Sequence, residues 1–354
     1  MQTESRTFTT PEGHRLAARL DLPDGDVKAF ALFAHCFTCG KNLKSATHLT
    51  RVLAQRGIAT LRFDFTGLGE SEGDFADTGF ASNISDVVAA AAFLEAEYQA
   101  PQLLIGHSLG GAAVLQAAQQ IPSARAVVTL GAPSCPDHVL HLLDGERETI
   151  EREGRAEVQI GGRRVTVGAR LVEDLGESRM REVIHKLGRA LLILHSPFDE
   201  VVGIDHATRI FTAALHPKSF ITLDRADHLL TDRADAIYAG EVIAAWASRY
   251  LAPTEEAEQP AADEGEVLVS TGRGHYRTEI QTRHHRLVAD EPTELGGTDA
   301  GPTPYGYLLA ALGACTSITL RMYADRRKWP LEAVKVRLRH RKVHCEDCLD
   351  PDTR

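Results

Sequence analysis

Leu103-Leu104-Ile105-Gly106-His107-Ser108-Leu109-Gly110-Gly111 is the stretch that decides the fold. It runs from a short apolar strand through a Gly-x-Ser-x-Gly turn into a helix that extends to Gln120. The pattern alone occurs by chance, but its place between a buried strand and a helix gives it meaning. A serine held on a tight strand-to-helix turn needs small flanking residues, and its hydroxyl then stands clear of the backbone. The N-terminus of the following helix brings N–H dipoles to the place where negative charge would develop.

Working outward, strands and helices alternate. Residues 6–22 read as a hairpin about Pro11-Glu12-Gly13. The apolar run Ala29 to His35 has the length of a fully buried strand. Leu43, Ala46, Leu49, Val52 and Leu53 recur at helical spacing, and Gly57 stops that helix. The order continues with strand Ala59 to Phe65, helix Ile84 to Ala96, the quoted stretch, and strand Ala126 to Leu130. It closes with strand Ala190 to His195, helix Asp205 to Leu215, strand Ser219 to Leu223 and helix Arg233 to Tyr250. This alternation predicts an α/β fold with a mostly parallel sheet covered on both faces. Residues 136–188 break the rhythm. Their two strand-like runs flank Gly161-Gly162, a hairpin turn signal, so the segment is predicted to be a small cap inserted over the sheet.

The predicted domains are therefore 1–251, an acidic linker at 252–266, and a smaller α+β unit at 267–354. The linker contains two prolines and no basic residue. The smaller unit opens with strand-like stretches, Val267 to Thr271 and His275 to Leu287. Thr303 and Pro304 then mark the N-cap and first residue of a long helix. Leu308, Leu309, Leu312, Ile318, Leu320 and Met322 lie on more than one side of that helix, which predicts a buried central helix. Val334, Val336 and Leu338 alternate with basic residues and predict a half-buried antiparallel strand.

Bulk properties narrow the function classes. With 43% apolar and 25% charged residues the 354-residue chain has an ordinary globular composition. A net charge of −10 argues against nucleic-acid binding and gives no basic anchor for an anionic membrane. Met1 to Thr10 has no signal-peptide pattern, and the longest apolar runs are shorter than the about 20 residues of a spanning helix. A cytoplasmic protein is expected, with most of its six cysteines reduced.

A serine hydroxyl needs a base to become a nucleophile. In this chain order the acid follows one late strand and the base follows the next. Asp199 ends His195-Ser196-Pro197-Phe198-Asp199, and His228 ends Leu223-Asp224-Arg225-Ala226-Asp227-His228. Ser108, Asp199 and His228 are thus the predicted nucleophile, acid and base. Asp227 and Asp205 are weaker alternatives for the acid. The oxyanion donors are expected to be the N–H of Leu109 and that of Phe37, in the loop His35-Cys36-Phe37-Thr38-Cys39. No cofactor is called for. Cys345-Glu346-Asp347-Cys348 lacks the second ligand pair that a zinc site needs, so no metal is expected.

His35 after a buried strand, the run Asp64-Phe65-Thr66-Gly67-Leu68-Gly69-Glu70-Ser71, the Gly106–Gly110 turn, Asp199 and His228 together resemble the α/β-hydrolase family. The resemblance is to its serine esterase and aminopeptidase-like branch. It implies hydrolysis of a small-molecule ester through an acyl-enzyme on Ser108, with peptidase or amidase action as the rival. One departure is Cys36, where the family usually has Gly. The run Gly301 to Thr316 resembles the OsmC/Ohr family of thiol peroxidases, which implies an intertwined homodimer and places Cys315 at the peroxidatic position. Tyr305 stands where active members often carry Glu, and the chain stops before the family's resolving cysteine. Dimerisation or stability is therefore the expected role of residues 267–354, with thiol-dependent reduction of organic hydroperoxides through Cys315 as the alternative.

Overall fold

The structure, a computed structural model, describes residues 1–36, 39–143, 145–160, 163–176, 179–251, 263, 265–272 and 276–340. The chain divides into two units, Met1–Glu256 and Ala257–Arg354. The division falls inside the acidic segment predicted as the linker.

The first unit is built on eight strands: β1 (Gln2–Thr9), β2 (Arg15–Leu22), β3 (Ala29–Ala34), β4 (Ile58–Phe63), β5 (Leu103–His107), β6 (Ala126–Leu130), β9 (Ala190–His195) and β10 (Lys218–Thr222). Between β6 and β9 a hairpin is formed by β7 (Arg155–Ile160) and β8 (Arg163–Gly168). The sheet order is β1-β2-β4-β3-β5-β6-β9-β10. β1 and β2 pair antiparallel, as does β2 with β4, and every pairing from β4 to β10 is parallel. β5, which ends at the Ser108 turn, lies in the interior of the sheet.

Residues on β5 alternate between two cores, because successive side chains of a strand point to opposite faces. Leu104 joins one cluster with the helices α2 (Phe80–Glu97) and α3 (Leu109–Ala117). Leu103 and Ile105 join the other, with α1 (Lys44–Gln55) and α8 (Arg233–Ala247). Helices α1 and α8 approach closely at Gly240, where an added Cβ would lie 2.9 Å from Val52 Cβ and 3.1 Å from the Leu49 carbonyl oxygen. These strands are buried on both faces, which is why they read as continuous apolar runs.

The segment between β6 and β9 contains the helices α4 (Arg147–Glu153), α5 (Ala169–Gly176) and α6 (Met180–His185) around the β7–β8 hairpin. Ile160 pairs with Arg163, so the hairpin has the predicted register; Gly161 and Gly162 lie outside the described residues. Ile150, Val158, Val167, Leu171, Leu175, Met180 and Ile184 belong to the same core as α2 and α3. The insertion therefore folds onto the body of the first unit and shares its interior. Helix α7 (Asp205–Ala213) links β9 to β10.

The second unit has a three-stranded antiparallel sheet, β11 (Leu268–Thr271), β12 (Thr278–Gln281) and β13 (Arg286–Ala289), and a long helix α9 (Pro304–Arg327). The Thr303 side chain accepts a hydrogen bond from the Gly306 N–H, the cap predicted from sequence. Between β13 and α9 the buried Asp290 carboxylate accepts hydrogen bonds from the N–H groups of Glu291, Thr298 and Ala300 and gives the connection its shape.

Two expectations for this unit fail. Helix α9 is not buried: Leu308 is 65% exposed, Ile318 58% and Met322 66%, and Ala324 is its one buried residue. Residues 331–340 form no strand, and among the described residues no neighbouring strand supplies the ladder that a two-residue alternation requires. Both patterns specify faces for burial, and this chain alone does not cover them. α9 is also long and apolar enough, by length and composition alone, to cross a membrane, where the apolar runs of the sequence were expected to be too short.

Candidate active site

Ser108 is the N-cap of α3 and has φ 55° and ψ −126°. This left-handed conformation is costly for a residue with a Cβ, and such strain persists only where the surroundings impose it. Here the surroundings are packed to contact. The Ser108 N–H donates to the Leu130 carbonyl at 2.8 Å. A Cβ on Gly106 would lie 2.3 Å from the Gly110 oxygen, and one on Gly110 would lie 2.4 Å from the His35 oxygen. A Cβ on Gly111 would lie 2.5 Å from Ala132 Cβ. These glycines let α3 press against the ends of β3 and β6, and the turn between has room for one residue.

Asp199 and His228 come from the loops after β9 and β10. His228 Nδ1 lies 2.8 Å from Asp199 Oδ2. Asp199 Oδ1 accepts from the N–H groups of Val201 at 2.9 Å and Val202 at 2.8 Å. Burial raises the Asp199 pKa, but the hydrogen bond and charge of His228 and the two N–H donors outweigh it, so the group sits below the ordinary carboxylate value. An anionic Asp199 holds the proton of His228 on Nδ1 and leaves Nε2 as the basic nitrogen. Gly131, next to the Leu130 that binds Ser108, faces this pair: a Cβ there would lie 3.0 Å from Asp199 Oδ2 and 3.4 Å from His228 Nδ1. The three predicted residues therefore gather at the ends of β5, β9 and β10, around the start of the loop after β6.

The two weaker acid candidates are engaged elsewhere. Asp227 accepts hydrogen bonds from the Thr231 N–H and hydroxyl, and Asp205 pairs with Arg209 at 2.7 Å. Leu109, the first residue of α3, is buried beside Ser108, where a helix N-terminus offers its N–H groups. Phe37 lies outside the described residues, as do Cys345 and Cys348. Among the described residues no cluster of His, Cys, Asp or Glu could hold a metal ion.

Sequence reasoning missed three supporting histidines. His107 Nε2 lies 2.6 Å from the His228 carbonyl oxygen and its ring packs against the His228 ring at 5.2 Å. Burial, then the neighbouring His228, lowers the His107 pKa to about 3, so it is neutral and donates this hydrogen bond. His195 Nε2 lies 2.7 Å from the Val202 carbonyl, and His138 Nε2 lies 3.0 Å from the Val201 carbonyl. These two rings hold the carbonyls of the same residues whose N–H groups bind Asp199. Only position could have marked them: His107 precedes the serine and His195 ends a buried strand.

The loop after β3 is held by buried charges. Lys41 donates its backbone N–H to Asp64 Oδ1 at 2.6 Å and its Nζ to Asp64 Oδ2 at 2.5 Å. Arg62 donates to the Lys41 carbonyl and pairs with the buried Asp21 at 2.7 Å. Gly69, at φ 58°, wraps the Asp64 carboxylate so closely that a Cβ would lie 2.2 Å from Oδ2. In this loop Cys36 and Cys39 form a disulfide, an exception to the expectation that most of the cysteines are reduced, while Cys135 and Cys315 are free. Cys315 is exposed on α9.

A mostly parallel sheet with a strained serine between a central strand and its helix, and an Asp–His pair after later strands, is the frame of the α/β-hydrolases. Residues 26–152 match the serine aminopeptidase S33 family and residues 297–348 match the OsmC-like protein family. The crystal structure of the esterase domain of a Rhodothermus marinus protein is 49% identical, with a TM-score of 0.60, covering 71% of this chain and 100% of that one. The chain belongs to the α/β-hydrolase family and carries an OsmC-like region at its C-terminal end. Mitochondrial palmitoyl-protein thioesterase ABHD10 of Rattus norvegicus is 24% identical over 58% of this chain and 70% of its own length. Est1E of Butyrivibrio proteoclasticus, in a structure with ferulic acid bound, shares the fold at 20% identity and a TM-score of 0.57, covering 69% of this chain and 98% of that one.

Proposed function

We propose that the chain is a carboxylesterase-type serine hydrolase that works through an acyl-enzyme on Ser108. The observation that carries this reading is the Asp199–His228 bond of 2.8 Å beside a serine held at φ 55°. His228 Nε2 takes the Ser108 proton as Oγ attacks the ester carbonyl. Asp199 fixes the tautomer and offsets the charge of the imidazolium. The N–H of Leu109, with that of Phe37 as the second donor, stabilises the oxyanion. His228 then protonates the leaving alcohol and activates the water that frees Ser108. The test is hydrolysis of a panel of short-chain aryl esters, aryl thioesters and aminoacyl amides by wild type and Ser108→Ala. Ester turnover abolished in Ser108→Ala is the expected result, and turnover retained in that variant would overturn the assignment. Faster cleavage of thioesters or amides than of esters would keep the nucleophile and change the substrate class.

For the OsmC-like unit the proposal is homodimerisation. Its support is α9, which exposes Leu308, Leu312, Ile318, Leu320 and Met322 on more than one side. Single-chain exposure of that much apolar surface is unusual for a protein in water. Mass measurement should find a dimer for the full chain and a monomer for a chain cut after Glu256. A dimeric truncated chain would refute it.

A further inference from the structure

Asp199 sits in a turn with little packing of its own. Pro197, Phe198 and Glu200 are exposed, and Val201 is 39% exposed. The buried carboxylate is therefore aimed by hydrogen bonds. One of the two N–H groups on its Oδ1 is that of Val202, at 2.8 Å. This N–H shares a planar peptide unit with the Val201 carbonyl, and a trans peptide points the two in opposite directions. The Val201 carbonyl accepts from His138 Nε2 at 3.0 Å. A continuous line thus runs from His138 Nε2–H through the Val201–Val202 peptide to Asp199 Oδ1, and on from Asp199 Oδ2 to His228 Nδ1 at 2.8 Å. Hydrogen bonds in series polarise one another, so a donor on the carbonyl strengthens the N–H at the other end of the unit.

His138 comes from outside the turn, from the 3-10 segment Pro136–Leu143 in the insertion between β6 and β9. Its ring is fixed between those of His141 and His206, with centroids 4.2 and 4.3 Å away. His206, on α7, is fixed in turn, because its Nδ1 accepts the Ser134 N–H at 3.0 Å. The three rings line a cavity of about 520 Å³ together with the exposed Asp137 and Arg209, which leaves His138 half-buried.

We infer that His138 is a positioning residue for turnover at Ser108: its Nε2–H sets the Val201–Val202 peptide and, through it, the angle at which Asp199 meets His228; this rests on the serine-hydrolase reading above. The inference gives the insertion a part in the chemistry itself. His138 touches no reacting atom, and what the line requires of it is an N–H donor at one place. The bond between Asp199 and His228 matters most when His228 becomes an imidazolium, which happens in both acylation and deacylation. Loss of His138 should therefore fall on kcat, with KM changed much less.

The experiment is steady-state hydrolysis of an aryl ester by the full chain as wild type, His138→Ala, His138→Leu and His138→Gln, with melting temperatures alongside. His138→Ala should lower kcat about tenfold, the scale of one hydrogen bond lost from the transition state. His138→Leu, which fills the space without a donor, should fall with it. His138→Gln, whose Nε2 can donate at the same place, should recover most of the loss. Imidazole added to His138→Ala should raise kcat toward wild type, because the deleted ring leaves a hole that joins the cavity. 1-Methylimidazole, of similar shape and basicity but with no N–H, should not. Rates are read above those of Ser108→Ala in the same buffer, which removes direct attack of imidazole on the ester. The inference is overturned if His138→Ala or His138→Leu turns over within about twofold of wild type. It is also overturned if neither the glutamine nor imidazole relieves the loss, which would make His138 a packing residue only. Equal rescue by the two imidazoles overturns it as well, since the carbonyl needs a proton donor. Failure of the hydrolase reading looks different: wild type would then not cleave esters, or Ser108→Ala would cleave them equally well.

Discussion

Asp199→Asn tests the centre of the site with little change in shape. The Asp199 carboxylate accepts from Val201 and Val202 at 2.9 and 2.8 Å through Oδ1, and faces His228 Nδ1 at 2.8 Å through Oδ2. An asparagine that keeps its oxygen on the two backbone N–H groups must turn its Nδ2 hydrogens toward His228 Nδ1. The imidazole then carries its proton on Nε2, and Ser108 has no base. The flipped amide fares no better, since it sets two N–H donors against its own. In serine proteases the same exchange of acid for amide costs kcat about 10⁴. At about 1.4 kcal/mol per decade this is about 5 kcal/mol of transition-state stabilisation. The assay is steady-state ester hydrolysis from pH 6 to 10, with the melting temperature measured alongside. A kcat loss below tenfold in a folded variant would refute the wrong-tautomer argument and the assignment of Asp199.

Three further substitutions probe the surroundings. Gly131→Ala keeps every reacting group but places a Cβ 3.0 Å from Asp199 Oδ2, at a residue with φ 52°. It should cost about 1 kcal/mol or more of stability from backbone strain and lower kcat by prising the pair apart; unchanged stability and kcat would show that the site has slack. His107→Gln should lower kcat about tenfold through the lost bond to the His228 carbonyl, taken at about 1.4 kcal/mol. Because His107 is neutral throughout, the variant should leave the pH–rate profile in place; a displaced profile would mean that His107 titrates. Asp86 is buried and bonded to the Thr66 N–H and hydroxyl, and burial raises its pKa from 3.8 to about 6. The folded state therefore holds this proton where the unfolded chain has lost it, and stability falls as pH rises from about 4 to 6. The loss is about 3 kcal/mol. Asp86→Asn should be more stable than wild type at pH 7 and lose that advantage near pH 4, as denaturant unfolding at both pH values would show.

The sequence showed most clearly what the backbone repeats. β3, β5, β6 and β9 are buried on both faces, so their apolar runs carry the signal, and the order of the loops after β9 and β10 pointed to Asp199 and His228. Patterns that depend on a partner were legible only in part. Helix α9 is apolar on more than one side and was expected to be buried, yet a single chain leaves it exposed. Val334, Val336 and Leu338 alternate like a strand but have no strand to pair with among the described residues. His107 and His195 were invisible because a histidine's type does not reveal which carbonyl it will meet. The Cys36–Cys39 bond depends on a turn that brings two residues together three apart, and spacing alone permits it without requiring it.

The contact of Gly110 with the His35 carbonyl has a consequence for how such an enzyme can diversify. With backbone pressed on backbone, neither the serine turn nor the end of β3 can absorb a new side chain. Variation is thereby displaced to surfaces where side chains are free to change, such as the segment between β6 and β9. There the exposed faces of α4 to α6 can exchange side chains without moving the serine turn. Libraries aimed at new substrates would lose most members at 106, 110 and 111 and keep most of them along the exposed faces of α4 to α6.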